Sequence, residues 1–124
     1  MAALVKLACE TDFVGKNEEF ITLARDLAMQ VVATSPSFIT REEVDEATIA
    51  KAKEVFQSEV KDKPAELQEK IIAGKLDSYL KVRILLEQPF IKNPDQTIND
   101  LVIGSVQKFG ENITISEISR LSLK

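Results

Sequence analysis

The sequence contains no histidine and a single cysteine, Cys9. Each shortage removes a class of chemistry. Without histidine there is no usual general base near neutral pH, no usual zinc ligand, and no Ser-His or Cys-His nucleophile pair. One thiol cannot close an internal disulfide and fits a reducing compartment. Cys9 reads as a small buried hydrophobe rather than a reactive thiol. The four glycines form no dinucleotide fingerprint, and Gly15-Lys16 lacks the upstream glycine and the following Ser or Thr of a phosphate loop. No apolar run approaches the length of a membrane-spanning helix. The N-terminus carries only Lys6 in a short apolar stretch followed by acidic residues, a poor secretory signal. The expected location is the cytoplasm, or the matrix or stroma of an organelle.

Positive charge is also in short supply. The 16 Lys and Arg are scattered among 20 Asp and Glu, for a net charge of −4. Nucleic-acid binding normally needs a basic stripe that displaces counterions from phosphates, so no nucleic-acid partner is expected, and no membrane. The adjacent carboxylates Glu18-Glu19 and Glu42-Glu43 would diverge on a helix, and surface solvation explains them. No catalytic residue, metal or cofactor is expected, and the chain is not expected to be an enzyme. Its partner should be a protein.

What is present suits one soluble domain over residues 1–124: 44% of the residues are apolar and 29% charged. Residues 3–9 alternate as a strand, with Ala3, Val5, Leu7 and Cys9 on one face. The other face, Leu4, Lys6 and Ala8, is only partly polar, so both faces are candidates for cover. Phe20, Leu23, Ala24, Leu27, Ala28 and Val31 form a helical stripe, with Asn17 as N-cap and Ser35-Pro36 as the stop. Thr40 and Glu43 suit a capping box opening a second helix, with Ile49, Ala52, Phe56 and Val60 inward. Pro64 suits the first position of the next helix, with Leu67 and Ile71 inward and Gly74 as a left-handed end.

Leu76, Tyr79, Leu80 and Arg83 continue at helical spacing toward Leu85-Leu86-Glu87-Gln88-Pro89-Phe90. Asn93-Pro94-Asp95 reads as a turn. Thr97 and Asp100 open a last helix, with Leu101, Val102, Val106 and Phe109 inward and Gly110 just beyond its end. In the final segment Ile113 and Ile115 alternate as a strand. Ile118 breaks the phase, Leu121 and Leu123 restore it, and a bulge near Glu117 accounts for the slip. The expected fold is α+β: a small antiparallel sheet with the N-terminal and C-terminal strands adjacent, packed by four to five helices. Two strands alone make a marginal sheet. Because the chain begins almost inside its first strand, a further strand is expected to be missing, either removed or supplied by another chain.

The stretch from Cys9 to Phe20 carries the best candidate for function. Asp12 and Phe13 sit where the strand should end and the helix begin, and loop tips between rigid elements often carry binding groups. Two readings stand side by side. Phe13 packs into the core and Asp12 forms a turn, as is usual for these residues; or Phe13 is an exposed aromatic anchor beside an anion, suited to an interface hot spot.

Thr11-Asp12-Phe13-Val14, followed by Lys16-Asn17-Glu18 and Phe20, resembles the core signature of the bacterial and organellar elongation factor Ts family. Leu85-Leu86-Glu87-Gln88-Pro89-Phe90 resembles a second family motif, and Gly110-Glu111-Asn112-Ile113, before the last strand, a third. The three stand in order across nearly the whole chain. Gly15 departs from the pattern, which more often has a small residue with a side chain there, and this implies a looser tip. The resemblance implies a guanine-nucleotide exchange factor for elongation factor Tu in translation elongation. In that family the Asp-Phe pair inserts between helices of the partner's GTPase domain and disturbs its magnesium and phosphate-binding loops, so that GDP leaves. Carried over, Phe13 is the wedge, Asp12 its polar neighbour, and Thr11 and Val14 hold the turn.

Family members also normally begin with a small three-helix, ubiquitin-associated-like module, and longer ones carry a second core subdomain. Neither is found here, so the expectation is a core-domain fragment. Shorter members pair as homodimers, which leaves a homodimer open for this chain. A structural dimerisation or interaction module without exchange activity is the alternative function.

Overall fold

The computed structural model describes residues 1–123. In chain order the elements are β1 (Ala2–Ala8), α1 (Asp12–Gly15), α2 (Glu18–Thr34), α3 (Glu46–Glu59), α4 (Ala65–Lys81), β2 (Pro89–Phe90), β3 (Asn93–Thr97), α5 (Ile98–Phe109) and β4 (Thr114–Leu121). Single 3₁₀ turns lie at Arg41–Glu43 and Leu85–Glu87. The fold is α+β, with β1 antiparallel to β4.

The β1–β4 register runs from Ala2 opposite Leu121 to Ala8 opposite Thr114, and it slips between Lys6 and Leu7. Lys6 faces Glu117 and Leu7 faces Ile115, so Ser116 is the extra residue of a bulge. The bulge lies beside Glu117, as the broken alternation implied, and turns Ile118 inward with Val5. Ala3, Val5, Leu7, Ile115 and Ile118 lie half-buried against α2 and its core. The slip has a second effect that the alternation did not anticipate. Leu121 stays out of phase and is 69% exposed, as are its outer-face neighbour Leu4 at 74% and Leu123 beyond the strand. The outer face of the sheet is therefore uncovered among the described residues.

α2 follows the expected plan. Asn17 caps it by accepting the N–H of Glu19 at 2.8 Å, and Ser35 ends it in the left-handed region at φ 49°. Leu23, Leu27 and Val31 build the main core with Leu85, Phe90 and Ile98. One polar network crosses that core. Gln30 Nε2 donates to Gln88 Oε1 (3.0 Å) and to the Pro89 carbonyl (3.1 Å). Thr34 Oγ1 donates to the same Gln88 oxygen, Gln88 Nε2 donates to the Val82 carbonyl, and the Ile91 N–H donates to Gln30 Oε1. Gln30 and Gln88 are almost fully buried, and no buried side-chain polar atom among the described residues lacks a partner. Gln88 thus ties the Leu85–Phe90 motif to α2 by filling donors and acceptors that would be costly to bury alone.

α3 and α4 form a hairpin that packs mainly on itself, through the edge-to-face pair Phe56–Tyr79 and buried Ala52, Val60 and Leu80. The Arg83 guanidinium carbon lies over the Tyr79 ring, 3.7 Å from its centroid. The hairpin's root is held by Arg41, whose guanidinium grips Glu87 through two nitrogens and also reaches Asp77 at 3.0 Å.

Several local expectations are corrected here. Thr40 makes no side-chain cap, and Glu43 accepts the N–H of Ile39 instead of that of Thr40. α3 starts later, at Glu46, capped by Asp45 accepting from Thr48. Pro64 sits at the N-cap, one residue ahead of α4. Gly74 does not end α4, which runs on to Lys81; packing of Leu76, Tyr79 and Leu80 outweighs the roughly 1 kcal/mol that an interior glycine costs. The half-buried stripe of α4 runs through Gln68, Ile71, Ile72 and Leu76, which leaves Leu67 outside it and exposed. Asn93-Pro94-Asp95 is not the turn but the start of β3, paired with β2 across a tight link at Ile91-Lys92. Proline is tolerated there because β3 is an edge strand with a slipped register.

Two outcomes are expected. Gln88→Ala takes one of two acceptors from Gln30 Nε2 and one of two from Thr34 Oγ1, removes a donor from the Val82 carbonyl and leaves a cavity, and should cost about 2–3 kcal/mol in a urea titration; a loss well under about 1 kcal/mol would show that the network pins nothing. Asp77 is held below the ordinary aspartate range by its bonds to Lys81 and then Arg41. Asp45 is held below it by Thr48. Both carboxylates stabilise the fold when ionised, and in acid the unfolded chain takes up protons first. Thermal stability should stay flat from about pH 5.5 to 7, where no histidine titrates, and fall below about pH 4. Asp77→Asn should blunt that fall. A drop between pH 6 and 7 would contradict this assignment.

Candidate functional site

The tip grows from the end of β1. Past Ala8 the chain turns, with Cys9 Sγ donating to the Thr11 carbonyl at 3.3 Å. α1 is a single helical turn: Gly15 N–H donates to the Thr11 carbonyl and Lys16 N–H to that of Asp12. Asn17 N–H closes on the Val14 carbonyl, and Asn17 then starts α2.

This turn separates two neighbouring apolar residues. Val14 is buried, with Phe20 and Ile113, in a second core cluster that also contacts Leu7, Cys9, Val106 and Phe109. Phe13 points the other way and is 90% exposed, the most exposed aromatic ring that the described residues present. Of the two readings of Phe13, the core reading therefore falls. Asp12, exposed beside it, is the first residue of the helix rather than a simple turn former. Asp12, Phe13, Lys16 and Asn17 line a shallow open recess. All four candidate residues, Thr11, Asp12, Phe13 and Val14, sit in one continuous turn, but only Asp12 and Phe13 present their side chains freely.

Thr11 occupies the N-cap position of α1, yet its side chain does not cap the helix. It is engaged by a residue 100 positions away. The Glu111 carboxylate accepts the Thr11 N–H at 3.0 Å, the Thr11 hydroxyl at 2.5 Å and the Glu10 N–H at 3.2 Å. Glu111 follows Gly110, which ends α5 in the left-handed region at φ 68°. The sequence displayed Glu111 only as part of a motif; nothing local to it reveals a contact that depends on β1 pairing with β4. Below the tip, Glu19 in the first turn of α2 and Lys108 in the last turn of α5 form an ion pair. Each charge complements its own helix dipole. Among the described residues there is no cluster of three potential metal ligands, and no helix is long and apolar enough to cross a membrane.

A family model described as Elongation factor TS matches residues 22–123. The chain belongs to the elongation factor Ts family. It is 44% identical over 124 residues to elongation factor Ts of Thermodesulfovibrio yellowstonii, covering 99% of this chain and 62% of that protein. With elongation factor Ts of Carboxydothermus hydrogenoformans it shares 44% identity over 125 residues, covering 99% of this chain and 58% of the relative. The corresponding protein of Maridesulfovibrio salexigens is 43% identical over 125 residues, with 99% and 61% coverage. The chain thus spans about three-fifths of the length of these elongation factor Ts relatives. The family match begins within α2, past the tip, whereas the pairwise matches extend over the tip as well.

Gly15 does not use glycine's special freedom. It is helical, and a Cβ there would lie 3.5 Å from Cys9 Sγ, an ordinary contact. Gly15→Ala should therefore raise stability by about 0.5–1 kcal/mol. Gly110→Ala, forced into a left-handed conformation, should lower it by about 1 kcal/mol. Urea midpoints of the two variants check both signs, and destabilisation by Gly15→Ala would mean that the tip needs its glycine.

Proposed function

We propose that this chain carries the exchange tip of a guanine-nucleotide exchange factor that acts on elongation factor Tu in translation elongation. Phe13 is the wedge that enters the partner's GTPase domain, and Asp12 is the polar group beside it. Thr11 and Val14 hold the turn that presents them. The observation carrying this reading is the exposure of Phe13 on a turn whose next residue is fixed in the core. An isolated ring kept in water on a well-anchored support is suited to burial in a partner. Membership of the elongation factor Ts family supports the choice of partner. The factor itself makes and breaks no covalent bond.

Exchange of this kind is linkage. A protein that weakens GDP binding to its partner by some factor is bound more weakly by the GDP form by the same factor, so it must prefer the nucleotide-free form. Full burial of one phenylalanine is worth roughly 1.5–3 kcal/mol. That supports a bias of about ten- to a hundredfold from the ring alone. Phe13→Ala should slow catalysed GDP release in a stopped-flow assay by about that factor, with an unchanged circular dichroism spectrum because the ring contributes little to the fold. Wild-type release by that variant would remove the wedge assignment.

The second reading, a dimerisation or interaction module without exchange activity, is favoured by the outer face of the sheet, where Leu4 and Leu121 stand exposed. A pull-down against nucleotide-free elongation factor Tu separates the two. Failure to bind by a well-folded chain supports the module.

A further inference from the structure

Four residues of helix do not fix their own direction. A helical turn this short is unstable alone, because nucleation costs more than its few hydrogen bonds return. Something else must aim Phe13. On its C-terminal side the turn is anchored by Val14 in the second core cluster and by Asn17 capping α2. On its N-terminal side Thr11 supplies no cap to the helix. Two side chains among the described residues reach the backbone there: the Cys9 thiol, a weak donor, meets the Thr11 carbonyl at 3.3 Å, and Glu111 holds the N–H groups. Its Oε1 takes the N–H groups of both Glu10 and Thr11, and its Oε2 takes the Thr11 hydroxyl.

We propose that Glu111 is a positioning residue for exchange: its carboxylate latches Glu10 and Thr11 so that Phe13 is held ready to insert. This rests on the exchange reading above and deepens it. Glu111 is itself well placed to act as a rigid post. Gly110 turns the chain sharply out of α5, and Ile113, two residues further on, is buried against Val14. The two sides of the tip are thereby tied to the same cluster, one through Val14 and the other through the segment bearing Glu111. Loss of the latch leaves Phe13 exposed but mobile, and the ordering cost is then met during binding.

The chemistry of the latch separates positioning from charge. What it needs is reach and two polar arms, one that accepts both N–H groups and one that hydrogen-bonds the Thr11 hydroxyl. A glutamine has the same reach: its carbonyl can accept both N–H groups, and its amide can donate to the Thr11 hydroxyl oxygen, which also accepts. An aspartate keeps the charge but is one methylene short. If Glu111 served instead as an anionic contact for the partner, aspartate would substitute better than glutamine.

The test measures catalysed GDP release from elongation factor Tu together with amide hydrogen exchange at Glu10 and Thr11. Glu111→Ala and Glu111→Asp should each slow release by roughly tenfold or more, as misplacement of a working group does, and should unprotect the two amides. Glu111→Gln should retain the wild-type rate and protection. Thr11→Val, which removes only the hydroxyl bond, should fall between. In a Phe13→Ala background, Glu111→Ala should slow release no further, since a residue acting through Phe13 has nothing left to position. Wild-type release by Glu111→Ala while Phe13→Ala is impaired overturns the latch and leaves the exchange reading standing. Additive losses in the double variant, or retention by Glu111→Asp with loss in Glu111→Gln, overturn it as well. Wild-type release by Phe13→Ala overturns the exchange reading and the latch with it.

Discussion

Antiparallel pairing of β1 with β4 sets the position of the whole candidate site. The contacts it makes are distant: Thr11 and Glu111 lie 100 residues apart in sequence. Closing a loop of that length costs about 4 kcal/mol of chain entropy. Burial of Val5, Leu7, Ile115 and Ile118 against α2 offsets it. Once β1 and β4 are in register, Ala8 stands opposite Thr114. The segment leaving β1 and the segment entering β4 must then emerge side by side. One becomes the tip, and the other brings the carboxylate that grips it.

The tip works by dividing labour between adjacent residues. Successive side chains on a helix point about 100° apart, so a turn that buries Val14 must turn Phe13 away. Exposure of the ring is thus a geometric consequence of the packing beneath it, and no separate force need hold it in water. The three buried residues of the second core cluster come from three places: Val14 from the tip, Phe20 from α2 and Ile113 from the approach to β4. The main cluster, at the Leu85–Phe90 motif, is where the Gln30–Gln88 network adds direction to apolar packing.

Features with a strong local signal were legible in the sequence. The stripe from Phe20 to Val31, the Asn17 cap, the helix opened by Thr97 and Asp100, and Gly110 just past its end all appear where the residues indicated. The broken alternation at Ile118 located the bulge beside Glu117. Where the sequence misled, a tertiary partner had decided the outcome. Gly74 is carried through a helix because its neighbours pack on α3. Glu43 turned to Ile39 because α3 had a better cap in Asp45. β3 was invisible because Asn93-Pro94-Asp95 has the composition of a turn, and only β2 makes it a strand. At the candidate site the motif pointed to four residues that share one continuous turn, but their own chemistry left the exposure of Phe13 undecided. The burial of Val14 settles it, and that depends on Phe20 and Ile113 being brought near.

The hairpin of α3 and α4 gives the chain a second stability scale. Neither core cluster draws a residue from it. Its interior is its own, and its root is fastened by one guanidinium shared between Glu87 and Asp77 and by backbone hydrogen bonds that join Ser37, Phe38 and Ile39 to Arg83, Leu85 and Leu86. Such a unit can open and reclose as a cooperative subunit of the fold, below the free energy of global unfolding. The strands and the tip lie outside that opening, and the buried glutamine network meets the hairpin only at its end, where Gln88 Nε2 donates to the Val82 carbonyl. Fluctuation in nearly a third of the chain is thereby kept apart from the few residues whose placement has to be constant.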